Sequence, residues 1–134
     1  MKPIYTGIFF NEKTYNEMKK QSSTKVLNKR IENPHVTLEF KPKNLLPSEL
    51  VGQEIDVFIV GEGNDGMNHG YEVVIPETLR EYYHGSEKVH VTMSIDQNGK
   101  PVNTGSIEFK KRNSFVVTGR IGYFTKEGVV FNGV

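Results

Sequence analysis

The chain contains no cysteine in 134 residues, which removes disulfides, thiolate catalysis and sulfur-ligated metal sites from consideration. It has no excess of charge either. With 17 Lys and Arg against 16 Asp and Glu, it lacks the strongly basic character with which proteins grip long nucleic acid through many phosphates. A long duplex is therefore a poor partner, and a small or terminal phosphate suits the balance better. The run Ile4 to Phe10 is short and carries Thr6 and Gly7; it reads as neither a spanning helix nor a signal sequence, and no membrane association is expected. Low-complexity tracts, heptad repeats and long blocks of like charge are also missing. What remains reads as one domain over residues 1–134, expected to be soluble, cytoplasmic and monomeric. Its 36% hydrophobic content, with eight Phe and six Tyr, can fill a modest core.

One pattern repeats within this composition. Pro34-His35-Val36-Thr37-Leu38 and Val89-His90-Val91-Thr92-Met93 place two of only four histidines in the same setting, each followed by Val and Thr. In a β-strand, residues two apart project from one face and those between from the other. His35, Thr37 and Glu39 then share a face opposed by Val36, Leu38 and Phe40; His90, Thr92 and Ser94 oppose Val91, Met93 and Ile95. Side by side in a sheet, such strands bring two imidazoles and two hydroxyls to one surface, a set suited to holding a phosphate and moving protons around it.

The paired H-x-T motifs resemble those of the 2H phosphoesterase superfamily, in its compact cyclic phosphodiesterase and RNA-repair-like subgroup. The resemblance implies an α+β fold of two lobes, largely antiparallel sheets with two short helical segments, one H-x-T strand per lobe facing a central cleft. It implies a metal-independent phosphodiesterase without cofactor that opens a nucleotide or RNA-terminal 2′,3′-cyclic phosphate. His35 and His90 would be general base and acid, in an order left open, and Thr37 and Thr92 would hold the phosphoryl oxygens. Hydrolysis of a 2′,5′-linked or cyclic oligonucleotide signal is an alternative within the same chemistry. A nucleotide-binding module without turnover is an alternative from another class.

The remaining segments read in order. Ile4–Phe10 is a buried strand, and Asn11 caps a helical stretch whose apolar side comes from Tyr15 and Met18, with Val26 and Leu27 as candidates to extend it. Asn33-Pro34 stops what precedes and launches the first motif strand. Leu45–Val51 is a helical turn or a loop. Glu54–Val60 and Tyr71–Ile75 form a hairpin across a Gly-rich turn, and Pro76–Tyr83 is a short helix. The second motif strand follows, then strands near Ser106–Lys110, Phe115–Phe124 and Gly128–Phe131. Antiparallel pairing is expected to dominate.

Several residues carry competing readings. A His-His-Glu metal site through Glu39 is disfavoured, because no Cys and no further ligand cluster surrounds either motif. Gly61-Glu62-Gly63-Asn64-Asp65-Gly66 spells a dinucleotide fingerprint, but a strand rather than a helix follows, so a hairpin turn is expected. Tyr5, Phe9, Tyr71 and Tyr123 are candidates to stack a nucleobase, with core packing the commoner use of such rings. Lys41, Lys43 and Arg120 are minor candidates for phosphate contact, and the Asn103–Ser106 loop for presenting amides. His69 and His84 are expected to be structural or solvated.

Overall fold

Alternation of apolar and polar residues writes most of the architecture. The structure is a computed structural model and describes residues 2–133. Strand β1 (Tyr5–Phe9) leads to helix α1 (Glu12–Lys20), the two-residue β2 (Lys29–Arg30) and β3 (His35–Phe40). A hairpin, β4 (Glu54–Asn64) and β5 (Asn68–Val74), precedes a 3-10 helix at Glu77–Tyr82 and β6 (His90–Ile95). A second 3-10 helix, Pro101–Ser106, then hands the chain to the long β7 (Lys110–Thr125) and β8 (Gly128–Val130).

Six strands close on themselves in the order β1, β3, β6, β5, β4, β7, with β7 pairing back onto β1. All paired strands run antiparallel. This single barrel stands in place of the two facing lobes that the resemblance implies: the motif strands β3 and β6 are neighbours in one sheet. Val36, Leu38, Val91 and Met93 point into the barrel and are fully buried beside Ile8, Ile59 and Ile121. Each such side chain contributes about 1.5 to 3 kcal/mol of burial, and the same alternation turns His35, Thr37, His90 and Thr92 outward.

Helix α1 plugs one end of the barrel. Asn11 caps it, its side-chain oxygen accepting the Thr14 amide at 2.8 Å, with Glu12 in the first turn and Lys19 and Lys20 in the last. Tyr15 and Met18, three residues apart, share its buried face. The Tyr15 hydroxyl donates to the Met93 carbonyl, and the Tyr71 hydroxyl donates to the Met18 carbonyl at 2.6 Å. The helix ends at Lys20, so Val26 and Leu27 do not extend it; Val26 is exposed.

The short helix expected over Pro76–Tyr83 is the 3-10 helix Glu77–Tyr82. Two local expectations need correction. The Gly-rich stretch is mostly strand: β4 runs through Gly61 and Gly63 to Asn64, and position 63 needs glycine there, since a side chain would lie 2.3 Å from the Glu108 carbonyl. The strand expected near Ser106–Lys110 is instead the end of the second 3-10 helix and the start of β7. Among the described residues no helix is long and apolar enough to cross a membrane.

Candidate active site

The two motif strands meet at one matched pair, Val36 with Val91. Antiparallel register then sets His35 beside Thr92 and Thr37 beside His90, so each histidine neighbours the other motif's threonine. Elsewhere the strands diverge. The outer part of β3 pairs instead with the link before β6, through a parallel bridge from Glu39 to His84 and the His84 amide on the Leu38 carbonyl at 2.7 Å. On the outer face of this splayed seam lies a cavity of about 520 Å³ lined by His35, Thr37, His90 and Thr92 together. All four motif residues are thus brought to one place.

The histidines are held alike. His35 Nδ1 lies 2.7 Å from the Asn33 carbonyl, and His90 Nδ1 lies 2.8 Å from the Lys88 carbonyl. In each case the ring donates to the carbonyl two residues upstream. That bond fixes the neutral tautomer with the proton on Nδ1, and among the described residues no protein group reaches either Nε2. Asn33 reaches this position with a φ of 53°, a left-handed conformation that Asn tolerates better than most residues.

Electrostatics keep both rings poised low. Burial pushes His35 below its ordinary value, the Asn33 carbonyl partly opposes this, and the nearby His90 adds to it. Burial likewise lowers His90 against the pull of the Lys88 carbonyl. Tyr5 supports His35: the rings stack with centroids 4.5 Å apart, and the hydroxyl lies 3.3 Å from His35 Nδ1. Burial raises the Tyr5 hydroxyl above its ordinary range, so it stays protonated.

The threonines differ. The Thr37 hydroxyl is half-buried and has no protein hydrogen bond among the described residues. Thr92 is buried, and its hydroxyl lies 2.8 Å from Thr104 Oγ1 and 3.2 Å from the Pro101 carbonyl, tying β6 to the second 3-10 helix. Asn68 holds the same Thr104 oxygen at 2.9 Å. Gly70, across from Thr92, leaves room for this arrangement, since a Cβ there would meet Thr104 Cγ2 at 2.5 Å.

Of the aromatic candidates, only Tyr5 lines the cavity, and it does so stacked on His35. Phe9 is buried and tilted against His35 at 5.6 Å, facing a second cavity of about 610 Å³ with Arg120. Tyr71 and Tyr123 are barrel core, both almost fully buried, and neither lines this cavity. Lys41 and Lys43 do not line the site. Sequence reasoning set aside His84, yet it lines the cavity with Tyr83 and Ser86, and Ser86 Oγ is 3.3 Å from His90 Nδ1. The signal was available: a short link entering a motif strand must pass that strand's mouth.

His69, also expected to be structural or solvated, is fully buried at the α1 end. Its Nε2 is 2.8 Å from Glu62 and its Nδ1 is 3.0 Å from Ser94. Glu62 also accepts from Arg112 at 3.0 Å, Ser22 at 2.6 Å and the Ser23 amide at 3.0 Å. Burial pushes this carboxyl up, but the hydrogen bonds from Ser22, Ser23 and His69 overcome it and hold it at about 2. Among the described residues no cluster of three or more His, Cys, Asp or Glu could hold a metal ion. In comparisons with known proteins, the chain matches no family model and no curated protein.

Proposed function

We propose that the protein is a metal-independent phosphodiesterase that opens a nucleotide or RNA-terminal 2′,3′-cyclic phosphate by two-histidine acid and base catalysis. One observation carries the reading: two imidazoles, each tethered through Nδ1 to its own backbone, leave two unpartnered Nε2 atoms at one cavity beside a free threonine hydroxyl. Each half of the chain supplies one motif strand, and the cavity lies on the outer face where the two strands splay.

In the proposed reaction one Nε2 takes a proton from water as the water oxygen attacks phosphorus. The bond from phosphorus to one ribose oxygen breaks, and the other ring, protonated on Nε2, gives that oxygen its proton. Each transfer is worth about 10² to 10⁴ in rate. The product is a phosphomonoester with one ribose hydroxyl restored, and exchange of one proton with solvent at each ring resets the pair. Thr37 donates to a non-bridging oxygen where charge builds. Thr92 positions its strand and the 3-10 helix in the free protein.

Phosphorus NMR with EDTA present tests this on the four nucleoside 2′,3′-cyclic monophosphates and a panel of cyclic and 2′,5′-linked dinucleotides. Turnover that disappears in both His35→Ala and His90→Ala supports the mechanism, and the product resonance identifies the leaving oxygen. Folded variants that match wild type, or turnover that EDTA abolishes, reject it.

A further inference from the structure

Among the described residues, no lysine or arginine lines the cavity that holds His35 and His90. Much of its lining is apolar: Ile31, Phe40, Tyr83, Pro101 and Val102, with Phe40 and Val102 exposed at the rim. The nearby lysines lie outside this lining, Lys41 at the Phe40 rim. The Lys41 ammonium sits over the Phe40 ring at 5.5 Å, and Lys88 sits over Phe109 at 5.6 Å with its Nζ 3.4 Å from the Ile107 carbonyl. Among the described residues that line the cavity, positive charge can therefore come only from His35, His84 and His90.

We infer that this pocket selects for a single negative charge, taking a nucleoside phosphodiester monoanion and disfavouring the phosphomonoester that its own reaction produces. The inference rests on the phosphodiesterase reading and adds what the site rejects. A phosphodiester carries one negative charge, and one protonated imidazole balances it. A phosphomonoester carries about −1.5 to −2 at neutral pH. Balancing that needs a second protonated imidazole among His35, His84 and His90, and the charge on His90 works against protonating His35. An unbalanced charge against apolar walls is costly, because low local polarity strengthens every uncompensated interaction. Hydrolysis thus turns a ligand that fits into one that is expelled. Nucleotides placing a second phosphate within the cavity meet the same barrier.

The test is a titration of wild-type protein at pH about 7.5 with adenosine 3′-monophosphate and its monomethyl ester, near-equal in size but one charge apart. The ester is expected to bind at least about tenfold tighter. Val102→Lys, which adds an ammonium at an exposed rim position, is expected to narrow or reverse that ratio and to introduce product inhibition. Turnover of cyclic phosphates together with equal or tighter binding of the monoester overturns the charge selection alone. Absence of turnover, with neither probe bound, overturns the phosphodiesterase reading and this inference with it.

Discussion

His69 and the pair His35 and His90 sit in opposite kinds of surroundings within one barrel. His69 has both ring nitrogens occupied, by Glu62 and Ser94, and no exposed surface. Each motif histidine has one nitrogen held by a backbone carbonyl and the other unpartnered at a cavity. An imidazole whose nitrogens are both satisfied is a brace, because any proton it moves breaks a buried hydrogen bond. One satisfied at a single nitrogen is oriented and still has a lone pair or proton to offer. Burial and the tally of partners both separate the two classes: His69 is fully buried, and His35 and His90 are partly exposed.

The largest expected effect falls on turnover. His35→Gln and His90→Gln should each lower kcat by about 10² to 10⁴ while leaving the melting temperature near wild type. His69→Gln should do the reverse, with kcat largely kept in the folded fraction and stability reduced by about 2 kcal/mol in a denaturant titration. A His69 variant that loses turnover without losing stability would break the comparison.

Next comes the brace itself. Glu62→Ala strands the Arg112 guanidinium and His69 and should cost about 3 kcal/mol. The pH dependence has a definite sign. The Glu62 carboxyl is held at about 2 against an ordinary 4.5, so its contribution is present above pH 4.5 and is lost as pH falls from there towards 2. Wild-type stability should drop through that window, and Glu62→Gln should flatten the drop.

The motif pair titrates in a different range. Both rings lie below their ordinary 6.5, and catalysis needs one protonated and one neutral, so the profile of kcat/KM should peak below pH about 6.5. Their burial as neutral rings also lowers stability as pH falls through 6.5, since the unfolded chain binds those protons more readily. A rate optimum above pH 7 would reverse the assigned direction of at least one shift.

The smallest expected contrast lies between the threonines. Thr37→Val removes an unengaged donor and should lower kcat by up to about 10². Thr92→Val breaks the bonds to Thr104 and Pro101 and should cost about 1 kcal/mol of stability, with the lesser effect on rate.

Much of the site was legible because strand periodicity is local. Knowing that His35 and Thr37 share a face needs only their spacing, and the cap at Asn11 needs only the residues after it. Three features required the register of distant strands. That Thr92 is tied to Thr104 depends on where the second 3-10 helix returns. That Tyr71 and Tyr123 are core depends on barrel closure through β1 and β7, which no short motif encodes. That Glu62 meets His69 and Arg112 depends on β4, β5 and β7 lying side by side. The Gly-rich stretch misled for a related reason: Gly63 is dictated by the neighbouring Glu108 backbone rather than by a turn.

The lone match of Val36 with Val91 has a mechanical consequence. Every other junction around the cylinder is laced by several residue pairs, whereas this one is laced once. Small outward rotations of the wall therefore concentrate there, and amide exchange in β3 and β6 should be the first in the barrel to report them. A molecule seated across that junction becomes its missing stitches, so occupancy should register as slowed exchange on both strands at once.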